Sequence, residues 1–275
     1  MNPRVTEFRR LHEAGCFVLP NPWDVGSARV LVNLGFKAVA TTSAGLAWSL
    51  GRRDNEISVE LSLSHLRTIA AAVEVPVNAD FEDGFARDPL GVAANVWAAV
   101  ETGIAGISIE DSTGDQAAPL YDFTLAVERI KAARKAIDDS GTGVLLTGRS
   151  EGFISGRPDL AETIKRLLAY AEAGADCLYA PGVRALSDIA AIVSAVAPKP
   201  VNVLVSTDFT TVAQLAEAGV RRISVGGALA RAAWTGFLSA AKEIATAGTF
   251  APFARNIPVP EMNTLFGAAR RHDRS

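Results

Sequence analysis

The sequence predicts an α/β chain folded as a (β/α)8 barrel of the TIM type. Short apolar runs alternate with longer stretches of helical period between residues 16 and 247, and the runs number eight. The polar residues able to do chemistry fall just after these runs, where barrel enzymes build their sites. A strand covered on both faces reads as a continuous apolar run, which fits a closed parallel barrel; a doubly wound open sheet is the alternative.

A helix over 3–14 opens the chain. Strands are predicted at 16–20, 38–42, 75–79, 106–109, 144–147, 177–179, 201–205 and 222–225. The helices between and after them are predicted at 27–34, 58–73, 89–102, 123–138, 159–173, 186–196, 211–218 and 228–247. Several helices stop at a glycine, namely Gly35, Gly103, Gly174 and Gly219, because glycine accepts the left-handed cap from which the chain turns into the next strand. Residues 1–250 are expected to form one barrel and 251–275 an extension. Pro252, Pro258 and Pro260 interrupt that extension and its end from Arg270 to Ser275 is polar, so it should pack on a neighbour or fray.

Composition narrows the function. With 49% hydrophobic residues the chain has ample apolar side chain for a large core. A formal charge of −3, with scattered arginines, offers no basic field for nucleic acid. No apolar run approaches the ~20 residues that span a bilayer and the first ten residues lack a signal-peptide core, so no membrane partner and a cytoplasmic location are expected. Cys16 and Cys177 each lie beside a predicted strand and read as small core residues in a reducing compartment.

Six acids follow three predicted strands: Asp54, then Asp80, Glu82 and Asp83, then Glu110 and Asp111. Carboxylates gathered at strand ends, without histidine or lysine beside them, point to a hard divalent metal with oxygen ligands, and magnesium is the natural candidate. Asp80 and Glu110 stand nearest their strand ends; Glu82 and Asp83 read as loop acids that could be merely solvated. Arg149 also follows a strand, and its guanidinium could clamp a carboxylate or phosphonate, or pair with Glu110 or Asp111. The small residues Ser43, Ala44 and Gly45 read as a loop whose backbone N–H groups can approach an anion. Asn202 and Tyr179, at or near later strand ends, could face the pocket or satisfy a buried polar contact.

Other chemistry is missing. His12 and His65 fall in helices and His272 in the tail, so no histidine base or zinc triad is available. The lysines lie on helices or at strand beginnings, which disfavours a Schiff base at the barrel mouth.

The segments Asp24-Val25-Gly26-Ser27-Ala28-Arg29, Ser43-Ala44-Gly45-Leu46, Leu50-Gly51-Arg52-Arg53-Asp54, Asn78-Ala79-Asp80, Ile109-Glu110-Asp111 and Gly148-Arg149, in that order, resemble the isocitrate lyase/phosphoenolpyruvate mutase superfamily. The resemblance covers about residues 15–245. It implies a Mg²⁺-dependent barrel, with Mn²⁺ as the substitute, that binds a 2-oxo acid and breaks or makes a C–C or P–C bond beside it. Carried over by position, Asp54, Asp80 and Glu110 lie around the metal; Glu82 is expected as a further ligand that restores the charge missing at Asn78. Arg149 clamps the substrate, and the 43–46 segment holds its carboxylate. The resemblance also implies a homotetramer in which the last barrel helix is exchanged between subunits.

Departures narrow the expectation. The lyases of this family carry a cysteine loop after Glu-Asp, whereas here Ser112-Thr113-Gly114-Asp115 follows Asp111 and the thiol acid is missing. Nor is the lysine-rich pattern of the phosphonate mutases present. The family's Asp-x-Asp-x-Gly reads as Asn78-Ala79-Asp80 with an extra residue before Gly84, a change that should weaken metal binding unless Glu82 or Asp83 restores the charge. The expected activity is C–C lysis next to a 2-oxo or 2-hydroxy acid through an enolate, decarboxylation of an oxaloacetate-like substrate being one form. The alternatives are P–C chemistry of the phosphoenolpyruvate or carboxyphosphonate mutase kind and a non-catalytic paralogue that binds an oxo acid.

Overall fold

The computed structural model describes residues 2–267; the polar end beyond, with Arg270 to Ser275 and His272, lies outside the described residues. Eight parallel strands form one sheet: β1 (Phe17–Leu19), β2 (Val39–Ala40), β3 (Val77–Asp80), β4 (Gly106–Glu110), β5 (Leu145–Arg149), β6 (Cys177–Tyr179), β7 (Val201–Leu204) and β8 (Arg222–Ser224). Their order is β1-β8-β7-β6-β5-β4-β3-β2. The remaining seam lies between β1 and β2. There the Ala40 N–H donates to the Pro20 carbonyl at 2.9 Å and the Asn21 amide donates to the Thr41 carbonyl at 2.8 Å, so the sheet returns on itself as a nearly closed (β/α)8 barrel.

Helices cover the outside: α1 (Pro3–Leu11), α2 (Val25–Asn33), α3 (Ser43–Ser49), α4 (Val59–Ala72), α5 (Pro89–Val100), α6 (Phe123–Ser140), α7 (Leu160–Glu172), α8 (Leu186–Val196), α9 (Val212–Glu217) and α10 (Ala228–Ala247). Asp24, Ser58, Asp88, Asp159 and Thr211 begin five of them by accepting a first-turn N–H. Gly174 shows why the expected glycine stops are needed. Its φ is +102°, and a Cβ there would lie 2.5 Å from the Arg134 side chain.

Helix α1 closes the N-terminal end of the barrel. Val5 and Phe8 are fully buried, and a Cβ on Gly106, the first residue of β4, would meet the Phe8 ring at 2.5 Å. The opposite end, at the C-termini of the strands, stays open and carries the polar cavity described below.

Two segments differ from the expectations. Ser43 to Gly45 are not a loop but the first turn of α3, capped by Thr42. The extension does not fray within the described residues: a 3₁₀ turn (Ala251–Arg255) leads to α11 (Val259–Gly267), which packs on α2 of the same chain, where Asn33 donates to the Leu265 carbonyl at 2.6 Å. Pro260 lies in the first helical turn, where proline's missing N–H costs nothing, so it starts a helix rather than breaking one. Helix α10 buries Ala230 alone and leaves Trp234, Phe237, Leu238 and Ile244 exposed. Among the described residues no helix is long and apolar enough to cross a membrane.

Candidate active site at the barrel mouth

The strand ends set the site. Asp80 ends β3, Glu110 ends β4 and Arg149 ends β5, and the β4/β5 register places Glu110 beside Arg149. The guanidinium spends each of its three nitrogens on a carboxylate: Nη1 on Asp80 Oδ1 at 2.7 Å, Nη2 on Glu110 Oε2 at 2.9 Å and Nε on Glu151 Oε1 at 3.0 Å. Its carbon lies 5.1 Å from the centroid of the Tyr179 ring, a cation–π contact. Three carboxylates around one guanidinium, Glu151 buried and Asp80 and Glu110 half-buried, leave an excess of negative charge, and the proton affinities follow. The arginine's pKa is raised well above its usual value by Glu110, Glu151 and Asp80, against the effect of burial. Glu110 is also raised well above the ordinary carboxylate range, first by burial, with Arg149 opposing and Glu151, Asp80 and Glu82 adding to it.

A second acid lies behind this group. Glu82 has a left-handed φ of +46°, an uncommon conformation for a side-chain-bearing residue. Its carboxyl is buried, and Oε1 has no hydrogen-bond partner. Burial, then Asp80, Asp54 and Asp83, push its pKa up to about 8. Asp54 comes from the exposed α3–α4 connection but its side chain lines the cavity; partial loss of water and then Asp80 raise its pKa. The expectation that Glu82 and Asp83 are solvated loop acids is thus corrected for both. Asp83 accepts from the Tyr121 hydroxyl at 2.7 Å and pairs with the buried Arg129, which lies 3.9 Å over the Tyr121 ring. Arg129 also donates to the carbonyls of Asp83, Ala86 and Arg87, so it fastens the loop that carries Glu82.

The cavity inside the mouth measures about 180 Å³. Ser43, Ala44, Asp54, Asp80, Arg149 and Asn202 line it, whereas Gly45, Glu110 and Glu82 are not part of its lining. The anion-holding segment differs from the expectation. The Ser43 N–H and hydroxyl both donate to Asp80 Oδ2 at 2.9 Å, and the Gly45 N–H donates to the Thr42 hydroxyl. The Ala44 N–H takes no part in these bonds, and Ala44 lines the cavity. Asn202 is likewise committed, donating to the Ser224 hydroxyl and accepting from Arg222 Nε, both at 2.9 Å. Tyr179 is buried at the cavity wall, and burial holds its hydroxyl proton, with a pKa of about 12.

Asp111 belongs to the framework. It accepts from the Glu151 N–H at 2.7 Å and the Tyr170 hydroxyl at 2.6 Å and pairs with Arg166 at 3.1 Å. The ion-pair partner expected for Arg149 is therefore Glu110, joined by Asp80 and Glu151. Sequence reasoning missed three residues. Glu151, two positions beyond the clamp arginine, was detectable by spacing. Asn21, whose Oδ1 accepts the Val225 and Gly226 N–H groups, and Arg222 gave no signal because their roles arise from barrel closure.

As positioned, no three Asp, Glu, His or Cys side chains converge on a metal position among the described residues. The donor chemistry nevertheless fits a hard divalent cation: carboxylate oxygens in charge excess, with the buried Glu82 Oε1 unpartnered beside Asp80.

A family model described as phosphoenolpyruvate phosphomutase matches residues 8–245. The chain is 34% identical to an uncharacterized protein of Mycobacterium tuberculosis over 80% of this chain and 81% of that one. It is 31% identical to a phosphoenolpyruvate phosphomutase of Streptomyces hygroscopicus over 62% of this chain and 56% of that protein. A crystal structure from Burkholderia cenocepacia J2315, described provisionally as a lyase/mutase, superposes with a TM-score of 0.94 at 45% identity and 97% coverage of both chains. Oxaloacetate acetylhydrolase in complex with oxalate superposes with a TM-score of 0.84 at 25% identity, covering 96% of this chain and 93% of that one. The family match spans nearly the whole barrel, and the strand-end acids and arginine lie within it: the chain belongs to the phosphoenolpyruvate phosphomutase family of the isocitrate lyase/phosphoenolpyruvate mutase superfamily.

Proposed function

We propose that this protein is a magnesium-dependent lyase that cleaves the C–C bond next to the oxo or hydroxy carbon of a small diacid through an enolate, with decarboxylation of an oxaloacetate-like acid as the form best supported. The observation that carries this reading is Arg149, held at the barrel mouth between Asp80, Glu110 and Glu151 over a small polar cavity. The metal would be held by Asp80 and Glu82, with Asp54 reaching it from the cavity side. The register supports this assignment. Asp80, not Asn78, ends the strand, and Asp80-Phe81-Glu82-Asp83-Gly84 keeps an acid-x-acid-x-Gly spacing with no insertion, while Asn78 is buried within β3.

Magnesium, when bound, supplies positive charge at the oxygen where the enolate develops. The chain's own residues do the rest. Asp80 and Glu110 fix the Arg149 guanidinium, so that it meets the substrate carboxylate pre-oriented rather than from solvent. The Ala44 N–H presents a donor to the same ligand, while Ser43 is spent on holding Asp80. Leu19, Ala40 and Leu204 line the cavity and keep water from the reacting carbon. Decarboxylation needs an enolate-stabilising site but no cysteine acid, which agrees with Ser112-Thr113-Gly114 in place of the thiol loop.

The similarity to a named phosphoenolpyruvate phosphomutase favours P–C chemistry as the second reading. One screen separates the two: oxaloacetate, substituted malates, methylisocitrate, phosphonopyruvate and phosphoenolpyruvate, assayed with and without Mg²⁺ for pyruvate or glyoxylate and, by phosphorus NMR, for interconversion of the last two. Turnover of a carbon diacid supports the lyase. Turnover of phosphonopyruvate alone supports the mutase reading, and oxalate binding without any turnover supports a non-catalytic oxo-acid binder.

A further inference from the structure

Arg222, the first residue of β8, is 2% exposed, and its guanidinium crosses the barrel interior. Nε donates to Asn202 Oδ1 at 2.9 Å, Nη2 donates to the Thr147 hydroxyl at 3.0 Å, and Nη1 lies 3.3 Å from His12 Nε2. All three partners are neutral. The His12 Nδ1 stands 2.7 Å from the Phe8 carbonyl and must donate to it, so Nε2 is the unprotonated nitrogen that accepts from Arg222. No carboxylate pairs with Arg222 among the described residues, although buried charges are normally paired. It also lines the cavity whose mouth is Arg149.

The charges of this cavity are arranged in layers. At the mouth, Asp80, Glu110 and Glu151 already neutralise Arg149, and Asp54 lines the cavity with Asp80 and Arg149. Thr147, which accepts from Arg222, precedes Arg149 by two residues on β5, so the second guanidinium lies about 6–7 Å deeper, at roughly one strand repeat. The uncompensated positive potential of the cavity is therefore at its floor. The polar side chains around it, Asn202, Ser224, Ser108 and Asn78, leave a hydrophilic base rather than a hydrocarbon one.

We infer that Arg222 is the second anion-recognising group of the site: it selects dianionic acids, one carboxylate lying at the mouth near Arg149 and the other directed down toward Arg222. This rests on the oxo-diacid reading above and specifies its substrate class, a short aliphatic diacid in preference to a monoacid. Arg222 is then a specificity-determining residue, reached by the non-reacting end of the substrate.

Calorimetric titration of succinate and butyrate, which share a four-carbon skeleton and differ by one carboxylate, tests the inference, run once with Mg²⁺ and once with EDTA. Wild-type protein is expected to prefer succinate, and Arg222→Gln to lose that preference by about tenfold or more while butyrate affinity barely changes. Arg222→Lys, which keeps the charge, should retain most of the preference. A folded Arg222→Gln protein with the wild-type preference overturns the inference. If Arg222→Gln does not fold, a crystal structure of the wild-type protein with succinate decides: a carboxylate hydrogen-bonded to Arg222 supports the inference, and both carboxylates at the mouth overturn it. Wild-type protein that binds neither succinate nor oxaloacetate contradicts the oxo-diacid reading itself, whereas equal binding of succinate and butyrate contradicts only the role of Arg222.

Discussion

Arg149 Nη1 lies 2.7 Å from Asp80 Oδ1, and the other oxygen of Asp80 accepts the N–H and hydroxyl of Ser43. One carboxylate thus joins the ends of β3 and β5 to the first turn of α3, three of the elements that line the cavity. Asp80→Asn replaces one of these acceptor oxygens with a donor facing a guanidinium or an N–H. Steady-state kinetics should show kcat/KM falling about 10²–10³-fold, the scale of losing a preorganised electrostatic group.

Glu82 and Asp83 are neighbours with different roles, and magnesium calorimetry separates them. Glu82→Gln should weaken Mg²⁺ binding clearly, because it removes a buried carboxyl ligand whose Oε1 has no other partner. Asp83→Asn should leave Mg²⁺ affinity nearly unchanged, because its carboxylate serves Tyr121 and Arg129. Equal losses in both variants would contradict this division.

Arg129 is buried, and its guanidinium serves three backbone carbonyls of the loop that bears Glu82. Arg129→Met keeps the stem and orphans these acceptors, each of which costs about 1–3 kcal/mol when buried. Urea unfolding should show a stability loss of about 3 kcal/mol or more, and magnesium affinity should fall with it.

Stability should decline on the acid side through the buried His12 and the half-buried His65. Burial, with Arg222 adding to it, lowers His12 from 6.5 to about 3, and burial lowers His65 from 6.5 to about 4. Between those values and 6.5 the unfolded chain binds the extra protons, so stability is full above about pH 6.5 and falls as the pH drops toward the folded-state values. At pH 5 each histidine should cost about 2 kcal/mol. Chemical denaturation of His12→Gln and His65→Gln at pH 7 and pH 5 should show a smaller acid loss than in wild-type protein.

The exposed face of α10 tests the expected assembly. Trp234 and Phe237 stack edge-to-face at 5.4 Å yet remain exposed on a helix that buries only Ala230. Helix exchange in a homotetramer would cover this face. Light scattering should give a tetramer for wild-type protein and a smaller species for Phe237→Glu; a wild-type monomer would contradict the assembly.

Much of the fold was legible in the sequence because a strand covered on both faces must be apolar throughout and the glycine stops mark where several helices turn back. Asp80, Glu110 and Arg149 were legible for a related reason: a polar residue directly after such a run has only the barrel mouth to face. What was hidden depended on contacts between distant segments. Ser43 to Gly45 look like a flexible loop until Thr42 caps them as a helix, and Asp80 then takes the donors of Ser43. Arg222 reads as a routine basic residue after Arg221 until closure of the barrel turns it inward. Pro260 looks like a breaker until its place in the first turn of α11 is known.

A mouth that stabilises an enolate should bind oxalate, an enolate mimic, tightly. Calorimetric titration should show oxalate binding about 10²-fold or more tighter than acetate, as expected of a mimic of the reacting state. That binding should be lost with EDTA and in Arg149→Gln. Oxalate that binds no tighter than acetate, or equally well without the metal and without the arginine, would contradict the account.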